Sequence, residues 1–453
     1  MPSVSSLIYC FFYTLFSPFN LHSSDYNKLK STRGIEFAQN PKHEIKFCFM
    51  EGRYKIDTTD PKNRKVISTT KIPKFTKIFA SDPLVTASFS GNRDRYCEVC
   101  LKRGEKLSKC SACGSSYYCS ADCQRADWPQ HKLECKLFNE LRQKKYTVTN
   151  QFIMLLRIYF QIQKGNKALK ECVDQLISNK GLVDSKRLEF FESIAIALIK
   201  YLDLDLSKKD EIIAEMMDLG CKIAMNAFTI FGNDYDAISS ALYFPTNFLN
   251  HSCDPNCLVV YQRKNQRVFA LRDIEEGEEL TISYIEKENS LQKRRDLLKE
   301  SYCFTCECKR CKDEEEKSMS SLVTEQKLKS EQLQKELQNA AKIEELLLAK
   351  EKEILEASLD LREFQEQLSS YYIQKGDYQK AYDINRVILK KMLRCYDKAE
   401  PVVGWKYFEL AKLADCNGQL VKVKKNARKA ITILEKYYDS GSPELEEIRP
   451  YLF

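Results

Sequence analysis

Histidine is scarce in this chain, four residues of 453. His251 beside Cys253, in the stretch NFLNHSCDPNC, therefore stands out and first suggests a metal. One imidazole and one thiol cannot complete a tetrahedral shell, which excludes a site closed by that pair alone. A strong excess of one charge is missing too. The 72 basic side chains face 64 acidic ones, for a formal charge of +8, and so small an imbalance does not mark a nucleic-acid binder. The basic flank of a signal peptide is absent as well. The apolar run Leu7 to Phe16 (LIYCFFYTLF) has signal-peptide length, yet no Lys or Arg precedes Lys28, and the run is too short to cross a bilayer as a helix. Neither export nor a membrane partner is expected, and residues 1–27 read as a poorly ordered extension.

What is present is ordinary globular composition, 43% hydrophobic and 30% charged, on a chain long enough for two or three packed domains. Most of the 19 cysteines fall at short gaps beside histidines, which is ligand spacing rather than a disulfide framework and favours a reducing compartment. Residues 28–96 mix β-rich pieces (HEIKFCFM, RKVISTT, TKIFASDPLVTASF) with turn formers. A cysteine block, 97–135, interrupts them. Apolar residues then recur at three and four (Phe152, Leu155, Leu156, Tyr159), so 136–225 is helical. Strand signals return in CLVVYQ, VFALRDI and ELTISYI within 226–302, and a second cysteine cluster occupies 303–312. Beyond the acidic DEEEK, residues 313–453 carry no strand signal and read as amphipathic helices. KGDYQKAYDINRVIL and NGQLVKVKKNARKAITIL, with Gly376, Gly418, Ala381, Ala427 and Ala430, suggest helical-hairpin repeats; a plain helical bundle is the alternative.

In the first block Cys97 and Cys100, Cys110 and Cys113, Cys119 and Cys123, and His131 and Cys135 make four ligand pairs, enough for two zinc ions. So short a segment buries too little apolar surface to fold alone, and coordinated metal would supply its stability. The spacing C-x2-C, C-x2-C, YYCS-x2-C and H-x3-C, with Trp128 before the histidine, resembles a MYND zinc finger. That resemblance implies interleaved ligands: Cys97, Cys100, Cys119 and Cys123 on one zinc, Cys110, Cys113, His131 and Cys135 on the other. It also implies protein contacts, often to proline-rich peptides.

NFLNHSC, followed by EELTISY (Glu278 to Tyr284) and YCFTCECKRC (Tyr302 to Cys311), resembles the C-terminal half of a SET domain with its post-SET cysteines. A MYND finger inside a SET domain, with helices after it, resembles the SET and MYND domain (SMYD) protein lysine methyltransferases. The fold implied is α+β and multidomain: a SET β-fold split by the finger and a helical insertion, a zinc-binding post-SET segment, and an all-α TPR-like C-terminal domain. The resemblance implies S-adenosylmethionine held by Asn250, His251 and Asn226, with Phe304 on the adenine and Asn179 as a looser adenine contact that could equally be a helix-end cap. It makes Tyr284 the catalytic tyrosine and Tyr243 a second aromatic of the lysine channel, with Phe228 nearby. Cys253 would join Cys306, Cys308 and Cys311 on a third zinc; Cys303 is a rival to Cys253 for that shell.

The pattern fails at one place. Where a SET domain has a Gly-x-Gly loop beside the cofactor, this chain has Asn63, Arg64 and Lys65, and STRGI (Ser31 to Ile35) is the alternative with one glycine. Two readings follow. One is a methyltransferase acting on lysines of histones or other proteins, monomeric, cytoplasmic and nuclear, with direct DNA binding not expected. The other is a SET-derived adaptor that has lost turnover.

Overall fold

The computed structural model describes residues 52–57, 59–60, 64–144, 149–202, 204, 206–232, 237–317, 332–334, 336–337, 343–357 and 361–453. The expected N-terminal extension, the STRGI alternative and Asn63 lie outside them. No helix among the described residues is long and apolar enough to cross a membrane.

Short antiparallel strands build the first layer. β1 (Tyr54–Asp57) pairs with β2 (Lys65–Ser68), whose alternating pattern buries Val66 and Ser68. β3 (Lys77–Ser81) lies on β11 (Asn265–Ala270), which forms a hairpin with β10 (Cys257–Gln262). Arg263, at φ 55°, makes the left-handed turn that a tight hairpin needs. β4 (Val85–Ser88), β8 (Ala237–Leu242) and β7 (Phe228–Phe231) form another sheet, with β8 central. Val66, Ile72, Ile78, Phe79, Val268 and Ile282 join in one core between these strands.

The cysteine block carries β5 (Ser108–Lys109) and β6 (Tyr117–Tyr118) and runs into α1 (Ala121–Gln143), started by Ser120, whose side chain accepts from the Cys123 N–H. Four further helices follow: α2 (Asn150–Gln163), α3 (Lys167–Asp174), α4 (Ser185–Leu202) and α5 (Lys209–Asn226). Thr149 and Asn166 cap α2 and α3 in the same way as Ser120. Arg157, buried on α2, binds Glu134 of α1 through Nε and Nη2 (2.7 and 2.8 Å), Glu98 (3.1 Å) and the Thr86 carbonyl (2.7 Å). That one guanidinium ties the cysteine block, the helices and β4 together.

After the strands come α6 (Leu291–Tyr302) and α7 (Lys309–Lys317), then α8 (Ile343–Ala349), α9 (Glu351–Glu356), α10 (Arg362–Gln374), α11 (Tyr378–Met392), α12 (Pro401–Cys416), α13 (Leu420–Leu434) and α14 (Pro443–Ile448). No strand occurs among the described residues beyond 313. Gly376 and Gly418, both at positive φ, turn α10 into α11 and α12 into α13. These helices dock on the strands through Tyr437, packed edge-on against Phe75 and Phe269, and through Lys74–Asp397, Arg267–Asp439 and Lys287–Glu400. The result is mixed α+β with a helical C-terminal region.

Candidate active site and metal centres

The twelve sequence-chosen ligands come together in three groups: Cys97, Cys100, Cys119 and Cys123; Cys110, Cys113, His131 and Cys135; Cys253, Cys306, Cys308 and Cys311. The Sγ separations in these groups run 3.6 Å (Cys100–Cys119, Cys119–Cys123), 3.8 Å (Cys110–Cys135), and 3.9 and 3.5 Å (Cys253 to Cys306 and Cys311). A zinc–sulfur bond of about 2.3 Å gives a tetrahedron edge of about 3.8 Å, whereas a disulfide needs about 2.0 Å. The three groups therefore fit zinc. Ser116 Oγ, 3.3 Å from His131 Nδ1, orients the imidazole so that Nε2 faces Cys113 Sγ.

Cys303 is not in the third group. It ends α6 at φ 63°, and its thiol points instead to the Leu182 carbonyl, 3.6 Å away. Two arginines support the third group, Arg294 toward Cys311 Sγ (3.7 Å) and Arg310 on the Cys253 carbonyl (3.0 Å).

The segment before Cys253 is a crossing point. Asn250 and His251 form β9, which runs parallel to β12 (Thr281–Ile282). The Asn250 amide donates to the Arg64 carbonyl and to Glu279 Oε1, both 2.8 Å. The His251 Nδ1 accepts the Tyr284 N–H at 3.0 Å, while its Nε2 lies 3.3 Å from Cys253 Sγ. The imidazole thus joins the tyrosine backbone to the third sulfur group without being one of its four members. Asn256, buried, receives the Thr281 N–H and donates to the Glu279 carbonyl.

Around this crossing stand aromatic rings. Tyr284 lies 4.9 Å from Tyr302, 5.3 Å from His251 and 6.5 Å from Phe304. Its hydroxyl donates to the Leu249 carbonyl at 2.6 Å. Burial pushes the Tyr284 phenol well up and the Tyr302 phenol up to about 12, so both stay protonated at neutral pH. Tyr243 is not brought to this group. It is fully buried, its hydroxyl spent on the Lys264 carbonyl (2.8 Å), and its ring faces Phe228 and Tyr261. Tyr302 stands beside Tyr284 where Tyr243 was expected. It opens the motif YCFTCECKRC, where the cysteines drew the attention.

Asn226 closes α5 and donates its side-chain amide to the Ile177 and Lys222 carbonyls. Asn179 sits at φ 47° before a short turn that its side chain does not cap; instead it donates to the Tyr302 carbonyl at 3.2 Å. Arg64, in place of the middle residue of the missing glycine loop, is buried. Its guanidinium lies over the Phe248 ring at 4.7 Å, and its Nε and Nη1 have no hydrogen-bond partner. Burial lowers its pKa. Lys65 is taken up as the first residue of β2, opposite Asp57.

A SET domain model matches residues 63–285. The chain is 33% identical to the histone-lysine N-methyltransferase SMYD3 of Homo sapiens over 275 residues, 59% of this chain and 62% of that protein. It is 29% identical to the N-lysine methyltransferase SMYD2 of Homo sapiens over 384 residues, 79% of this chain and 88% of that protein. With N-lysine methyltransferase SMYD2-B of Xenopus laevis the identity is 30% over 265 residues, 58% of this chain and 61% of that protein. The SMYD3 match thus spans less than two thirds of that relative. Matched SET strands, three sulfur-rich groups in this order and these relatives together place the chain in the SET and MYND domain-containing (SMYD) family.

Proposed function

We propose that this protein is an S-adenosylmethionine-dependent protein-lysine N-methyltransferase acting on histone or non-histone proteins. The observation that carries this reading is the pair of protonated phenols, Tyr284 and Tyr302, beside the Asn250–His251 crossing. The donor, when bound, supplies a methyl group on a sulfonium, which a neutral amine takes by in-line displacement.

This chain's residues fit that donor. Its amino-acid end carries a carboxylate, the group that the two orphaned donors of Arg64 lack. Asn250, His251, Asn226 and Asn179 border the same region, and the Phe304 ring, 5.9 Å from His251, offers a face for a purine. The Tyr284 hydroxyl gives its proton to Leu249, so toward an amine it can only accept. It therefore holds an amine N–H and turns the nitrogen lone pair away from itself, toward the methyl. No general base is required, because the site needs alignment and exclusion of water more than proton transfer.

Under this reading 28–96 and 226–302 make the SET core, 97–135 the MYND finger, 136–225 the insertion, 303–312 the post-SET segment and 313–453 a TPR-like domain. Trp128, 49% exposed, suits a proline-rich peptide. The protein would act as a monomer in cytoplasm and nucleus, with zinc in the three groups.

The second reading, an adaptor without turnover, draws on the same Arg64, whose bulk could fill the donor's place. Calorimetric titration of zinc-replete protein with S-adenosylmethionine decides between them. Binding, with transfer to a lysine peptide that falls on the order of 10²-fold in Tyr284→Phe, supports the enzyme; no heat leaves the adaptor.

A further inference from the structure

Asn247 belongs to the motif that holds the crossing segment, yet no role has been given to it. It lies in the turn Thr246–Phe248, three residues before Asn250. Its Oδ1 accepts the Tyr243 N–H at 2.8 Å, and its Nδ2 donates to the Asn226 carbonyl. One amide thus bridges the end of β8 and the junction of α5 with β7. Asn226 is fixed from three directions: by Asn247 on its carbonyl, and by the Ile177 and Lys222 carbonyls on its Nδ2. Both protons of its side-chain amide are spent, which leaves Oδ1 to accept from a ligand. That oxygen can stay in place only if the backbone of Asn226 does.

We propose that Asn247 is a positioning residue of the donor site: its amide holds the Asn226 wall in register with the Asn250–His251 crossing. The inference rests on the donor site proposed above. The site needs an acceptor toward Tyr243 and a donor toward Asn226, which an amide supplies at any pH and an ionised carboxylate does not. Asn247→Asp keeps shape and acceptor but sets a carboxylate oxygen against the Asn226 carbonyl, two acceptors with no proton between them. The wall then shifts while Tyr284, Tyr302 and the sulfur groups stay as they are. Protonation of the new carboxyl would restore a donor.

The test compares wild-type protein with Asn247→Asp and Asn247→Leu, all zinc-replete, by titration with S-adenosylmethionine from pH 6 to 8. A shape-conserving role predicts donor affinity about 10-fold weaker in Asn247→Asp at pH 8, partial recovery toward pH 6, and no recovery in Asn247→Leu. In turnover the KM for the donor rises by a similar factor, and kcat at saturating donor stays within about twofold. Wild type that binds no donor defeats the donor site itself. Wild type that binds while Asn247→Asp binds equally well at pH 8 defeats the positioning role, as does a variant whose thermal midpoint falls while its affinity is unchanged.

Discussion

Arg64 shows how a single side chain can carry opposite consequences for stability and binding. A buried guanidinium with two unpaired nitrogens costs the donor-free protein stability, and the Phe248 ring offsets only part of its desolvation. The same nitrogens strengthen a complex with a carboxylate, where charge-assisted hydrogen bonds are worth about 1.5–3 kcal/mol. Arg64→Met should therefore raise the thermal midpoint of the donor-free protein and weaken S-adenosylmethionine roughly 10- to 100-fold. Scanning calorimetry and titration on the same sample check both signs. At this scale the sequence was legible where spacing carries chemistry: the ligand pairs could be read because thiols at two- and three-residue gaps have few other uses. Tyr243 and Tyr302 could not be told apart, because each is an aromatic beside a recognisable motif, and only the fold decides which ring turns inward to a carbonyl. What Arg64 does in place of the Gly-x-Gly loop was not legible, because burial and missing partners are not written in a side chain's size.

Among elements, the contacts that matter join pieces distant in sequence. Arg157 on α2 pairs with Glu98 and Glu134, both buried. Arg157→Met would leave Glu134 without its cation and Glu98 with Arg93 alone, and should cost about 3–5 kcal/mol, read as a lowered denaturant midpoint. Adding Glu134→Gln should return part of it. The third sulfur group gives a sharper test. Cys253→Ser should lower bound zinc from three ions to two per chain and abolish donor binding, because His251 and Tyr284 hang from that group. Cys303→Ser should retain three, since its thiol faces Leu182; metal analysis after dialysis reads both. The strands β2, β3, β4 and β10 were legible from alternation or continuous apolar runs between turn formers. β9, two residues long, was not, since so short a strand leaves no periodicity; its partner β12 lies inside the strand signal ELTISYI, but the parallel pairing that joins them is not written in either segment.

For the whole molecule, the seam between strands and C-terminal helices is built largely of charge. Arg362, buried on α10, meets Glu288 and Glu366, and the Tyr396 hydroxyl also donates to Glu288. Glu286, two residues past Tyr284, sits in this seam with one carboxyl oxygen unpaired. Burial, then the neighbouring Glu288, pushes its carboxyl up to about 8 against Arg362 and Lys293, with Glu366 adding to the rise. A carboxyl whose folded pKa is raised contributes stability that is complete below its unfolded value, about 4.3, and is lost as pH climbs through about 8. Glu286→Gln removes this pH dependence, so its thermal midpoint should match the wild type most closely near pH 4, exceed it at pH 6 and exceed it further at pH 8, as scanning fluorimetry across that range will show. The bond from Asn250 to the Arg64 carbonyl spans 186 positions, and the group holding Cys253 ends only at Cys311. Such long-range closure comes late in folding. On the ribosome, then, the proposed donor pocket cannot exist as a competent unit until the polypeptide through Cys311 has emerged, so nascent chains stalled before that point should capture no S-adenosylmethionine.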